Sequence, residues 1–155
     1  MRGEASVKPD KTQASADALL LLENQLCFPL YAAARKITGL YTPLLKPLGL
    51  TYTQYLVFLV LWEKDGISIG ELGGRLFLDS GTLTPLIRKL EARGLIERRR
   101  SREDERIVLI SLTEEGRALR EKARKIPVKI ASCVPLSPED AADFYRLLYR
   151  ILEAD

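Results

Sequence analysis

Apolar residues recur at helical spacing along most of this chain of 155 residues. Over residues 29–48 they form one wide face of a predicted helix, in which Pro43 should introduce a bend. Thr51 with Gln54 is typical of a capping box, and it opens a helix that should run to about Lys64. The side chains expected to point inward from this second helix are Tyr55, Leu56, Phe58, Leu59 and Trp62.

Residues 68–113 combine two short predicted helices with a predicted β-hairpin. Ser68 with Glu71 predicts a second capping box and a short helix, and Asp79 or Ser80 starts another helix that Gly94 ends. Its expected buried face is Leu83, Leu86, Ile87 and Leu90. The runs 95–100 and 106–111 then predict a β-hairpin. This order is the layout of a winged helix-turn-helix, so the sequence predicts a mainly α fold with a small β-wing that binds double-stranded DNA.

The charge of the predicted DNA-binding segment supports this partner. The net charge of the whole chain, +3, is too small to hold DNA by itself. Between Arg88 and Arg106, however, eight basic residues stand against five acidic ones. A charge run is usually a solvated face, but here it directly follows the predicted helix-turn-helix, which favours DNA contact. The predicted contacts are Ser80, Thr82, Thr84, Arg88 and Lys89 on the second short helix, with Arg98 and Arg106 on the hairpin.

Further helices are predicted after the hairpin. Thr113 should cap a helix that ends or bends at Pro127, and Ser137 followed by Pro138 should start the last one. The apolar side of the last helix is Ala141, Phe144, Tyr145, Leu148, Ile151 and Leu152. The flanking helices carry more apolar surface than a small module can cover, so we expect a homodimer. Its two-fold axis would match a palindromic operator with half-sites about one helical turn apart.

The length predicts a single domain preceded by a short arm. Residues 1–18 are polar and small, and they are expected to be disordered. Residues 19–155 should form the winged-helix domain, with a DNA-reading module over 52–113 and dimerisation helices over 19–48 and 114–153. The leucine run at 19–22 is too short for a signal peptide or a membrane span, so no membrane role and a cytoplasmic location are expected.

Composition also narrows the possible chemistry. The chain has no histidine and two cysteines, which excludes histidine-based acid–base catalysis and most zinc sites. No metal, no cofactor and no enzymatic activity are expected. In a reducing cytosol the two cysteines should start as free thiols.

Cys27 lies among apolar residues, between Leu26 and Phe28. Such a cysteine is usually an inert buried thiol. Pro29, however, is best accommodated in the first turn of a helix, which places Cys27 near the positive end of that helix, where a thiolate is favoured. The apolar neighbours would suit an organic hydroperoxide, which a thiolate attacks to give a sulfenic acid. Both interpretations remain open on these residues alone.

Several segments resemble a known family. Asp104-Glu105-Arg106 followed by Leu112-Thr113 is similar to the wing motif of the MarR family of bacterial regulators. The segments 22–28, 30–31, 48–56 and 79–85 resemble one branch of it, the organic hydroperoxide resistance regulators of the OhrR type. The resemblance covers about residues 19–153 and includes a cysteine at each of the two positions found in the two-cysteine class.

The resemblance implies roles for individual residues. It implies that Cys27 is a reactive thiolate held by the hydroxyls of Tyr41 and Tyr52 across the dimer. It implies that Cys133 of the other subunit closes a disulfide after oxidation. Arg106 would enter the minor groove with Asp104 bracing it, and Ser80, Thr82 and Thr84 would meet the major groove.

The expected function is therefore a repressor that binds DNA when reduced and releases it when an organic hydroperoxide oxidises Cys27. Two alternatives use the same residues differently. A MarR-like regulator would respond to a small phenolic ligand, with both cysteines structural. A thiol peroxidase would turn peroxide over at Cys27 without needing the wing.

Overall fold

The computed structural model describes residues 18–154. Apart from Ala18, the predicted arm over residues 1–18 lies outside the described residues. The α-helices are α1 (Cys27–Leu45), α2 (Tyr52–Glu63), α3 (Ile69–Leu76), α4 (Ser80–Ala92), α5 (Glu114–Ala123), α6 (Ile126–Ala131) and α7 (Pro138–Leu152). The strands are β1 (Ile67–Ser68), β2 (Ile96–Arg100) and β3 (Val108–Leu112), so the predicted fold class is confirmed. Within the described residues the chain forms two compact units, one that ends at Ile37 and one that begins at Thr38.

The described part of the first unit holds two short 3₁₀ turns and the first half of α1. The turns span Ala18–Leu20 and Leu22–Asn24, and the side-chain amide of Asn24 donates to the Ala18 carbonyl at 2.7 Å. α1 begins at Cys27, slightly before the predicted start, and Pro29 falls in its first turn as expected.

In the second unit, α2 passes through the core. Both hydrogen bonds of the Thr51–Gln54 capping box are present, at 3.3 and 3.0 Å, as predicted. Tyr55 and Phe58 are buried, but Leu59 is 40% exposed, so its predicted inward position is wrong. Val57, Val60 and Leu61 are buried as well. Because α2 is apolar on nearly every side, its periodicity could not distinguish the inner face from the outer one.

The helix-turn-helix is made by α3 and α4. The Asp79 carboxylate caps α4 by accepting from the Thr82 amide at 2.8 Å, and Gly94 follows the helix with a φ of 68°. Leu83, Ile87 and Leu90 are fully buried, as predicted. The predicted capping box of α3 is only half formed. Ser68 accepts from the Glu71 amide, but the Glu71 carboxylate pairs with Lys64 at 2.7 Å.

The wing is a three-stranded antiparallel sheet with the order β1-β3-β2. The predicted hairpin pairs Arg100 with Val108 and Ile96 with Leu112. β3 begins later than expected because Ile107 belongs to the turn, where its amide donates to the Asp104 carbonyl at 2.9 Å. β1 was not predicted, because two residues are too few to show an alternating pattern.

After the wing, Thr113 caps α5 as predicted. The expected role of Pro127 is wrong: α5 ends at Ala123, and Pro127 lies in the first turn of the separate helix α6. A proline there gives up an amide hydrogen that has no helical partner in any case, so it starts a helix. Ser137 and Pro138 begin α7 as predicted. No single helix in residues 18–154 is long and apolar enough to cross a membrane, although one bent pair, Cys27–Leu48 with Tyr52–Glu63, meets that length and composition.

Candidate DNA-binding and thiol sites

The outer face of α4 carries the residues predicted to meet the major groove. Ser80 is the first residue of the helix and is exposed, as are Arg88 and Lys89. No acidic side chain in the described part of the chain pairs with Arg88 or Lys89. A phosphate could therefore approach both cations without breaking an ion pair of the protein.

The two threonines of this face have local partners. The Thr82 hydroxyl donates to the Asp79 carboxylate at 2.9 Å, and the Thr84 hydroxyl donates to the Ser80 carbonyl at 2.7 Å. In this arrangement each hydroxyl offers DNA only its lone pairs. The Thr82 amide, followed by the Thr82 hydroxyl, holds the pKa of Asp79 below its ordinary value, so the capping carboxylate is ionised at neutral pH.

Asp104 shapes the wing through the backbone. Its carboxylate accepts from the Arg106 amide at 2.9 Å, and its carbonyl accepts from the Ile107 amide. The support that Asp104 gives to Arg106 is thus a hydrogen bond to the main chain. The Arg106 side chain is exposed at the turn and makes no ion pair within residues 18–154.

Arg98 has an intramolecular partner that the sequence did not reveal. Its guanidinium pairs with Glu91 of α4 at 2.7 Å, with about a third of each side chain exposed. A charged pair of this kind ties β2 to α4, and Arg98 could reach a phosphate only after leaving Glu91. Glu91 is the only feature of the sequence that could have indicated an ion pair here. Its pairing with Arg98 depends on the approach of β2 to α4, which the sequence does not show.

Tyr41 and Tyr52 lie side by side in the second unit. Their ring centroids are 4.7 Å apart, and the ring of Tyr55 is 5.8 Å from that of Tyr41. Burial raises the pKa of Tyr41, and burial followed by the charge of Tyr41 raises that of Tyr52. Both hydroxyls are therefore protonated at neutral pH and able to donate. The structure thus brings together the two tyrosines that the resemblance assigned to one role.

The two cysteines are both free and exposed. Cys27 is the first residue of α1 and belongs to the first unit. Cys133 lies in the turn that joins α6 to α7 in the second unit. Among the described residues, no group of three or more histidine, cysteine, aspartate or glutamate side chains could hold a metal ion.

An open groove of about 450 Å³ lies in the second unit. Leu44, Leu48 and Ile126 contribute its apolar lining, and Lys122, Lys125 and Lys129 bring positive charge to its surface. A groove that combines apolar contacts with ammonium groups could receive a small aromatic acid.

Known proteins with similar sequences and structures are regulators. The sequence profile of a family described as transcriptional regulator SarA/Rot matches residues 39–123. The chain is 52% identical over 132 residues to the organic hydroperoxide resistance transcriptional regulator of Bacillus subtilis, which covers 85% of this chain and 90% of that protein.

Solved structures give the same picture. Reduced AbfR bound to DNA superposes with a TM-score of 0.72 at 36% identity, covering 85% of this chain and 91% of that one. Disulfide-formed AbfR superposes with a TM-score of 0.62 at 36% identity, covering 85% and 93%. AbfR comes from Staphylococcus epidermidis. The C80S mutant of MarR from E. coli, complexed with operator DNA, gives 0.76 at 26% identity, covering 82% and 93%.

Proposed function

The chain belongs to the MarR family of winged helix-turn-helix regulators, in the organic hydroperoxide resistance branch, and we propose that it is a thiol-based transcriptional repressor. The observation that carries the proposal is the 52% identity to the Bacillus subtilis regulator over nearly the whole of both chains. AbfR has been solved bound to DNA in its reduced state and has also been solved in a disulfide-formed state, and these two structures support a redox mechanism. The family is one of regulators, not enzymes, which argues against a thiol peroxidase.

The proposed sensing step begins at Cys27. Its thiolate attacks one peroxide oxygen of an organic hydroperoxide, the O–O bond breaks, and the products are a sulfenic acid and an alkoxide that takes a proton to become an alcohol. Tyr41 and Tyr52 of the partner subunit donate hydrogen bonds to the thiolate. Burial raises the pKa of both hydroxyls, so they stay protonated at neutral pH. They would stabilise the thiolate by hydrogen bonds without reacting with it.

The second step closes a disulfide between subunits. The thiol of the partner's Cys133 attacks the Cys27 sulfenic acid, an S–S bond forms, and water leaves. A disulfide needs its two α-carbons about 4.4–6.8 Å apart, so closure would move the helices that carry the cysteines. Overoxidised AbfR has been solved bound to DNA, which supports the disulfide, more than oxidation of the thiol alone, as the releasing state.

The proposed output is the release of a palindromic operator. Arg106 would enter the minor groove from the wing, braced through its backbone by Asp104. Ser80, Thr82 and Thr84 would face the major groove, and Arg88, Lys89 and Arg98 would contact phosphates. The reading module is proposed to span about residues 52–113. The helices over 19–48 and 114–153 would form a homodimer in the cytoplasm, which the exposed apolar side chains of α7 support.

The test is operator binding by the full chain before and after cumene hydroperoxide, for wild type, Cys27→Ser and Cys133→Ser. We expect wild type to release DNA and to recover with a thiol reductant. Cys27→Ser should stay bound, and Cys133→Ser should resist release because it cannot form the disulfide. Release by oxidised Cys27→Ser would contradict the sensor role. Release and recovery of Cys133→Ser like wild type would remove only the two-cysteine step.

The alternative of a phenolic-ligand regulator is favoured by the lysine-lined groove near Ile126. Its signature would be release of the operator by an aromatic acid such as salicylate, undiminished in Cys27→Ser. Lys125→Gln should then weaken that release, because the ammonium groups would bind the carboxylate. If salicylate leaves the complex intact while the peroxide dissociates it, the result would contradict the phenolic-ligand function and support the redox function.

A further inference from the structure

Arg93 occupies a position that DNA binding does not explain. It follows the last residue of α4, and its guanidinium turns back toward the loop between α1 and α2. One nitrogen donates to the Gly49 carbonyl at 2.6 Å and another to the Leu48 carbonyl at 3.4 Å. A guanidinium shared between two carbonyls of one loop is held in both direction and distance.

Gly49 is shaped to accept this contact. It has a φ of 65°, a left-handed conformation that glycine adopts without strain. A Cβ at this position would lie 2.8 Å from the Arg93 guanidinium nitrogen, closer than real Cβ contacts allow. The backbone turn therefore favours glycine, and a Cβ at this position would push the Arg93 guanidinium away from the loop carbonyls.

The loop lies beside the tyrosine pair along the chain. Lys46–Leu48 forms a 3₁₀ turn after α1, which carries Tyr41, and Thr51 caps α2, whose first residue is Tyr52. The carbonyls bound by Arg93 thus belong to the corner that joins the two tyrosine-bearing helices. Arg93 itself ends the helix proposed to read the major groove.

We propose that Arg93 is a positioning residue that couples this corner to α4, so that movement of the tyrosine-bearing helices is transmitted to the recognition helix. The proposal rests on the proposed function, because it assigns a route for the same redox signal. Charge-assisted hydrogen bonds link the corner to the end of α4, so a displacement of the corner would move α4 with it. A layer of solvent between the two would not couple their movements. Arg93 would then affect the response to oxidation more than it affects DNA affinity.

The test compares operator affinities of the reduced and oxidised full-length protein for wild type, Arg93→Gln and Gly49→Ala. The readout is the ratio of the oxidised to the reduced Kd. Both variants should lower this ratio about tenfold, the scale expected when charge-assisted hydrogen bonds are lost. Gly49→Ala reaches the bridge from the loop side and leaves α4 untouched, so the double variant should be no worse than either single one.

Arg88→Gln is the matched control, an exposed arginine on the same helix. It should weaken binding in both redox states and lower the slope of log K against log salt by about one, as a lost phosphate contact does. Arg93→Gln should keep the wild-type slope and the wild-type rate of Cys27 thiol loss. A wild-type ratio for Arg93→Gln, or a slope that falls as in Arg88→Gln, would overturn the coupling alone. A wild-type protein whose affinity does not change on oxidation would overturn the proposed function and the coupling together.

Discussion

Tyr41 and Tyr52 differ from the neighbouring Tyr55 in how far their side chains are exposed. The ring of Tyr41 packs against the rings of both Tyr52 and Tyr55, but Tyr55 is 1% exposed while the other two are half-buried. A hydroxyl can stabilise a thiolate only if the sulfur can reach it. At the scale of single residues, the cluster therefore divides into two partly accessible side chains and one core side chain.

We expect Tyr41→Phe and Tyr52→Phe each to slow oxidation of Cys27 by cumene hydroperoxide about tenfold, the effect of losing one charge-assisted hydrogen bond. The rate is measured as loss of reactive thiol under excess peroxide. Tyr55→Phe is the matched control, since it removes a hydroxyl from the same cluster and should leave the rate unchanged. Equal slowing in all three variants would mean that the cluster acts through packing and not through donation.

At the scale of elements, the cap of α4 gives a prediction with a pH dependence. The pKa of Asp79 is lowered in the folded protein, chiefly by the Thr82 amide, so its contribution to stability is present above the ordinary carboxyl pKa. That contribution is lost as the pH falls through the folded value. Asp79→Asn keeps an acceptor for the amide without the charge, whereas Asp79→Ala removes the cap.

Thermal unfolding monitored by circular dichroism checks the cap. At pH 7, Asp79→Ala should melt a few degrees below wild type, and Asp79→Asn should lie between them. As the pH falls through the lowered pKa of Asp79, the difference between wild type and Asp79→Asn should shrink, because the carboxyl group becomes protonated. A difference that stays constant over the whole acid range in which the protein remains folded would show that ionisation of Asp79 contributes nothing to the cap.

The elements also show which features the sequence could predict. Caps and turns made within a few residues, such as Thr51 with Gln54 and the glycine stop at Gly94, followed from local chemistry. Several of the errors concern partners that come from a different element of the fold. Glu71 pairs with Lys64 instead of completing the predicted capping box, and β1 exists only because β3 pairs with it. The sequence did not distinguish Arg93 and Arg98 from the other basic residues. In the fold, Arg93 donates to the Gly49 carbonyl and Arg98 pairs with the Glu91 carboxylate.

At the scale of the whole molecule, α7 makes the strongest case for a dimer. Its apolar side chains include Tyr145 at 61% and Ile151 at 59% exposure, and Tyr145 stacks on Tyr149 with centroids 4.5 Å apart. An exposed row of large apolar residues on a capped helix is unfavourable unless something covers it. A second copy of the chain would cover it and would place two reading modules on one face of DNA.

Ile151→Glu should therefore yield a monomer, because a carboxylate would have to be desolvated at the interface. The reading module should stay folded, since no buried residue of α7 joins its core. Operator affinity should fall by about a hundredfold or more, because a monomer contacts one half-site while the dimer gains from two linked contacts. Arg150→Glu, on the polar side of the same helix, is the control and should stay dimeric. Sedimentation velocity gives the oligomeric state and fluorescence anisotropy the affinity. A dimeric Ile151→Glu with wild-type operator affinity would place the interface elsewhere on the chain.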